Sequence, residues 1–302
     1  MGGWFLNKKQ SAQKPMNERS SGLANKTTSH ICHLLYSSMT LFINFMLVVG
    51  LIVAITGLFL VPKLQNLEQL KKDRALLLTV TKLHRGTDSE RKLVLRLLKM
   101  GIPAKTIFHD LYLETSFKRF AQIDLVVPTK VGILVFEVKE YSGWIFGSGH
   151  QKKWSQILAF GKQKYRFYNP VLQNKKHIEQ LRSKLPQFSN IPFFSIVVFY
   201  GSCEFKNVTQ IPQDVFVIKA WDIDTVLNQI LTGNPLARYG NKWEIVQLLT
   251  QATSNGDNMD VRWQHIQNLR ELEPVNTQRK VSVEFTVPFP RLWRRKPKFW
   301  RF

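Results

Sequence analysis

The residues best suited to chemistry lie in two short stretches, Gln122-Ile123-Asp124 and Phe136-Glu137-Val138-Lys139. Alternate residues of a strand share a face, so Glu137 and Lys139 point the same way, with Ile133 and Val135 beneath them. If 122–127 and 133–139 form a hairpin across a loop at Thr129 to Gly132, the register sets Asp124 opposite Glu137 and Gln122 opposite Lys139. Opposed carboxylates with Cβ atoms roughly 5 Å apart repel unless a cation lies between them. Oxygen-only donors favour Mg²⁺ or Mn²⁺, and the adjacent lysine can stabilise a nucleophilic water or the charge that grows on a phosphate. The E-x-K spacing has little weight alone. It occurs at Glu90, Glu137 and Glu204, and only the middle copy lies in a β-rich run with an upstream Asp in phase. The plainer alternative is an exposed hairpin face laced with salt bridges.

The elements that must hold these residues alternate between helix and strand. Thr87-Asp88-Ser89-Glu90 before Leu93, Val94, Leu97 and Leu98 is a capping-box start, closed by Gly101 and Pro103. Strands are predicted over 106–114, 122–127 and 132–141, a helix from Asn169-Pro170 to about Leu185, and buried strands over 193–200 and 215–220. Further helices are expected over 224–231 and 242–251. The class is mixed α/β.

Upstream, Leu41 to Val61 carries no charge and makes a helix of roughly 31 Å, the thickness of a hydrocarbon core. The twenty residues after it hold Lys63, Lys71, Lys72 and Arg74, against only Lys26 in the twenty before, which places the C-terminal domain in the cytoplasm. The expected organisation is a tail (1–38), a transmembrane helix (39–61), a mostly helical linker (62–84), a catalytic-type domain (85–230), a helical extension (231–275) and a basic, aromatic tail (276–302).

Of the formal charge of +22, about +4 lies in 1–38, about +4 in 62–85 and about +7 in 276–302, so the flanks suit anionic lipid as readily as nucleic acid. The last tail interleaves Arg291, Arg294, Arg295, Lys296, Lys298 and Arg301 with aromatic residues, and is expected to lie extended on anionic lipid. Two cysteines without a C-x-x-C pair, and seven histidines without H-E-x-x-H spacing, leave zinc no foundation. Phosphate-loop, dinucleotide-binding and nucleophile-elbow motifs are likewise missing.

Taken in order, Gly86-x-x-Ser89-Glu90, Gln122-Ile123-Asp124, Gly132-Ile133 leading to Glu137-Val138-Lys139, Tyr141-Ser142-Gly143, Trp154-x-Gln156 and Asn169-Pro170-x-x-Gln173-x-x-x-His177-x-x-x-Leu181 resemble the nuclease-related (NERD) domain over roughly 85–200. That family is grouped with the PD-(D/E)XK nucleases. The resemblance implies a restriction-endonuclease-like mixed β-sheet flanked by helices, here preceded by one transmembrane helix, and Mg²⁺-dependent processing of DNA. It carries the catalytic role to Glu90, Asp124, Glu137 and Lys139, metal ligation to Glu90, Asp124 and Glu137, and substrate contact to Gln156 and Gln173. Ser89 departs from the glycine usual before the glutamate, and Leu125 from the histidine or aromatic residue common after the aspartate.

The expected function is therefore a membrane-anchored, metal-dependent nuclease. The alternative is a catalytically idle nucleic-acid-binding or membrane-surface module of the same fold. Capping alone accounts for Glu90, a lone histidine such as His177 on a polar helix face is ordinarily solvated, and Trp154 is more often core than a base-stacking platform.

Overall fold

The computed structural model describes residues 18–115, 119–158 and 161–272, with side chains between 30 and 270. The lysines of the first seventeen residues and the basic tail 276–302 lie outside the described residues. Two compact units divide the chain, Met1–Leu70 and Lys71–Phe302.

Helix α1 (Glu18–Leu78) supplies the described part of the first unit, its last eight residues belong to the second, and it runs for 61 residues, about 90 Å at 1.5 Å per residue. It contains one stretch long and apolar enough to cross a membrane, none of it buried. Within that stretch the Thr56 hydroxyl donates to the Ile52 carbonyl at 2.9 Å, so the helix satisfies this polar group itself, as a hydrocarbon environment requires. The helix also extends beyond the span expected from composition, carrying Pro62 in its interior and continuing to Leu78.

In the second unit, α2 (Asp88–Lys99) begins where expected, with the Thr87 hydroxyl accepting from the Glu90 amide at 3.3 Å. After a short 3-10 turn follow β1 (Phe108–Glu114), β2 (Phe120–Thr129) and β3 (Gly132–Glu140). Next come β4 (Gly143–Ser148), β5 (Lys153–Leu158), β6 (Gln163–Tyr168) and α3 (Pro170–Lys184). The remaining described elements are β7 (Phe193–Tyr200), β8 (Cys203–Thr209), β9 (Val215–Lys219), α4 (Ile223–Gly233), α5 (Lys242–Asn255) and α6 (Met259–Leu272).

The main sheet has the order β1-β2-β3-β7-β9, antiparallel through β3 and parallel from β3 to β9. The Ile133–Phe136 and Ile196–Val198 runs lie at its centre and are buried on both faces, which is why they read as unbroken apolar runs instead of an alternation. Leu93 and Leu97 of α2 and Val226 and Leu227 of α4 cover one face with Leu134, Phe136 and Val198. The other face is covered by Leu181 of α3 together with Ile245 and Leu249 of α5, packed on Leu111, Ile123 and Val135. Helix α5, expected in a C-terminal extension, thus contributes directly to this core.

A second sheet, ordered β6-β5-β4-β8, has no counterpart in the sequence reading. Its strands give weak or interrupted signals: β6 is an exposed edge rich in Lys and Arg, β4 carries Gly143 and Gly147, and β8 is largely polar. What builds it is tertiary. Trp154 of β5 is fully buried, its ring parallel to that of Phe199 at 6.1 Å, and Ile145 and Val171 complete the cluster beneath. The indole N–H donates to the Ser148 carbonyl at 3.0 Å, so Trp154 is a core residue with no face left for a base.

Candidate active site

The β2–β3 ladder has the expected register, from Thr129 opposite Gly132 to Leu125 opposite Phe136, and it stops one step short of Asp124 and Glu137. At that step the Asp124 carboxylate Oδ2 accepts from the Val138 amide at 2.7 Å, taking the main-chain donor with a side chain. The strands part here, and the acidic pair sits at the opening. Gln122 does not face Lys139 as the simple register implied. It pairs with Tyr112 of β1, and its amide donates to the Asp110 Oδ1 at 2.9 Å.

This opening is not the exposed hairpin face of the plainer reading. The Glu137 side chain is 1% exposed and lies 2.6 Å, through Oε1, from the Lys139 ammonium, whose side chain is 20% exposed. Lys139 also donates to the Gln173 Oε1 at 3.2 Å. The Glu137 Oε2 is 3.4 Å from the His177 Nε2, within ion-pair distance but outside hydrogen-bond geometry, so this buried oxygen has no hydrogen-bond partner among the described residues. Burial, followed by the Glu137 and Glu90 carboxylates, pushes the Asp124 carboxyl well above the usual range, against the pull of Lys139 and the Val138 N–H. For Glu137, burial acts in the same upward sense, yet Lys139 and His177 outweigh it and hold the carboxyl below its ordinary value. Burial would lower Lys139, but Glu137 and Asp124 raise it instead.

Glu90 reaches this field from the first turn of α2. Its Oε1 accepts from the Thr87 hydroxyl at 2.8 Å, and its Oε2 lies 3.2 Å from the His109 Nε2. The other His109 nitrogen meets the Thr81 hydroxyl at 2.8 Å. Capping and membership of the acidic group are therefore compatible, because each role takes a different oxygen. Gly86 explains the spacing of the Gly-x-x-Ser-Glu motif. Its φ is +58°, and a Cβ there would stand 2.4 Å from the Glu90 Oε2 and 2.5 Å from the His109 Nε2. The departure at Ser89 has a local use, since its hydroxyl donates to the Glu140 Oε2 at 2.6 Å and ties α2 to the end of β3.

Of the two glutamines, Gln173 meets Lys139, whereas the buried Gln156 donates to the Ser142 carbonyl at 2.8 Å and serves the strand connection. His177 corrects the sequence reading: it is buried, because Val171, Asn174, His177 and Leu181 form the face of α3 that packs on the sheet. Asn174 fixes that face by donating to the Val135 carbonyl and the Ser195 hydroxyl, both at 2.9 Å. The three-to-four spacing of those residues was the available signal. Also missed was a buried clamp behind the site. Arg85 Nε donates to the Asp110 Oδ2 at 2.8 Å and Nη1 to the Asp257 Oδ1 at 2.9 Å, with Asp110 held at φ +54°.

No three His, Cys, Asp or Glu side chains converge as a ready-made metal cage among the described residues. Magnesium does not require one, since it keeps several waters and is held by one or two carboxylates with substrate phosphate. The unpartnered Glu137 Oε2 beside Asp124, whose ionisation is opposed by two neighbouring carboxylates, fits a hard divalent cation on this count.

Residues 85–200 match the nuclease-related domain family. A curated relative, an uncharacterized protein of Bacillus anthracis, is 34% identical over 118 residues, which is 39% of this chain and 54% of that protein. The chain thus spans about half the length of the curated relative it matches. No solved structure matches it. The Gly86-to-Glu90 turn, the Asp124 and Glu137 pair with Lys139, and the Asn169-capped helix that brings Gln173 and His177 to them all fall within residues 85–200, the stretch that matches the nuclease-related domain family.

Proposed function

We propose that this chain is a membrane-tethered nuclease that hydrolyses phosphodiester bonds of DNA at the Asp124–Glu137–Lys139 cluster. The observation that carries this reading is the placing of the buried Glu137 carboxylate, the half-buried Asp124 carboxylate and a lysine where the β2–β3 ladder opens, within a nuclease-related domain. Asp124 and Glu137 would hold Mg²⁺ or Mn²⁺, with Glu90 adding negative charge behind them. Such a cation supplies Lewis-acid stabilisation of the phosphate and lowers the pKa of water.

The chain's own residues do the rest. When water attacks phosphorus, it gives up a proton to solvent, the P–O ester bond breaks, and the leaving alkoxide takes a proton from solvent. Lys139 stabilises the charge that accumulates on the non-bridging oxygens. Gln173 holds the Lys139 ammonium from the α3 side, and His177 backs Glu137. The α1 stretch 41–61 anchors the chain in the bilayer with the domain on the cytoplasmic side.

One observation favours the idle-module alternative. Lys139 already pairs with Glu137 at 2.6 Å, so the cluster is partly self-neutralised without any metal cation. The deciding experiment incubates the full-length protein, in detergent, with labelled single-stranded, duplex and branched DNA and Mg²⁺ or Mn²⁺. Cleavage that chelation stops and Glu137→Gln abolishes is the expected result. Metal binding without cleavage of any substrate assigns the domain to the binding module.

A further inference from the structure

The outer face of the four-stranded sheet carries a second concentration of charge. Pairing puts Arg166 of β6 opposite Ser155 of β5, Ser155 opposite Phe146 of β4, and Phe146 opposite Asn207 of β8. These four residues form one row across all four strands, about 14 Å wide at the usual strand spacing. Trp154 points the opposite way, into the core. A groove of about 670 Å³ lies over the row, and its cations are Lys152, Lys153, Lys164 and Arg166. All four are exposed, and among the described residues none of them makes an ion pair. No carboxylate lines the groove; Glu204, further along β8, is paired with Lys206 at 2.6 Å.

Four uncompensated like charges on one sheet face repel one another, and nothing in the fold requires them there. A concave face with cations along it, hydroxyl and amide groups across it and the half-buried ring of Phe146 in its floor is complementary to a polyanion with stackable rings. A flat anionic bilayer would reach the rim but not the floor. We infer that this face binds the sugar–phosphate backbone of a single nucleic-acid strand, a contact surface outside the Asp124–Glu137–Lys139 cluster. The identity of the polymer rests on the nuclease reading.

The test is equilibrium binding of labelled oligothymidylate to full-length protein in phosphatidylcholine nanodiscs, in EDTA, so that failure of catalysis cannot affect it. Exchanging both Lys164→Gln and Arg166→Gln, at two exposed positions, should weaken binding about tenfold or more at low salt. It should also flatten the log–log salt dependence by about 1.4, the value for two phosphate contacts on a single strand. The pair Lys105→Gln and Lys130→Gln, also exposed but elsewhere, should leave both quantities unchanged. Equal loss in the two double variants would reduce the effect to overall charge and overturn the proposal, as would no loss in the first. Loss of flotation with phosphatidylserine vesicles, with oligothymidylate binding intact, would make the face a lipid contact instead.

Discussion

The two sheets treat charge in opposite ways. Around the end of β3, Asp124, Glu137, Lys139 and His177 are largely withdrawn from water and lie within one another's fields. On the four-stranded sheet, Lys152, Lys153, Lys164 and Arg166 stand in solvent with no ionic partner among the described residues. Buried groups in contact act as a unit, because removing one leaves the others uncompensated in a poor dielectric. Exposed cations act nearly independently, and salt screens them. The first arrangement suits the making and breaking of bonds, and the second suits holding a long charged polymer.

The sharpest way to break this comparison is inside the cluster. Asp124→Ala and Glu137→Ala should abolish divalent-metal binding and DNA cleavage together, as read by calorimetric titration and by single-turnover assay. Lys139→Ala should separate the two, leaving metal affinity intact or raised while slowing cleavage by about 10²-fold or more. Loss of metal binding in that variant as well would mean that the lysine only holds the carboxylates in place.

The Arg85 clamp is a buried network with no expected chemistry, so its removal should appear in stability alone. Arg85 and Asp110 are 4% and 1% exposed, and Arg85→Met, which strands the Asp110 charge, should cost about 3–5 kcal/mol in chemical denaturation. At the solvent end of the same network Asp257 is 46% exposed, and Asp257→Asn should cost under about 1 kcal/mol. Similar losses from both would remove burial as the deciding variable.

Glu90 stands between the regimes, with one oxygen on the helix cap and one toward His109. Glu90→Gln keeps a group for the Thr87 hydroxyl to meet and removes the charge. Stability should change by no more than about 1 kcal/mol while cleavage falls, and an unchanged rate would assign the residue to capping alone.

The smallest effect is a pH dependence at His265 of α6. Burial lowers the pKa of His265, against the Phe120 carbonyl, which accepts from its Nδ1 at 2.8 Å. The unfolded chain therefore takes up this proton first. Stability from the neutral ring is complete above the ordinary histidine value and declines as pH falls through about 6.5 toward the lowered folded value. Comparing denaturation at pH 7.5 and 5.5, His265→Leu should lose less stability on acidification than the wild type.

Much of this was legible in the residues themselves. The uncharged run 41–61 fixes a bilayer-length helix by arithmetic, Thr87 and Asn169 announce two helix starts, and Ile133–Phe136 and Ile196–Val198 mark central strands because continuous apolar runs have nowhere else to go. Alternation along a strand placed Glu137 beside Lys139, and the hairpin register brought Asp124 to them. The second sheet was not legible, since β6 is polar and its stability comes from Trp154, Phe199 and Val171, which lie far apart in the chain. The three-to-four spacing along α3 hinted at the burial of His177 but could not show that α3 packs across β3 and β7, and the approach of Glu90 to Asp124 from a helix on the opposite face of the sheet left no signal at all. Local pattern determines which way a side chain points from its own element. Whether it then meets water or another charge depends on the partner surface, and that surface is set by contacts between residues distant in sequence.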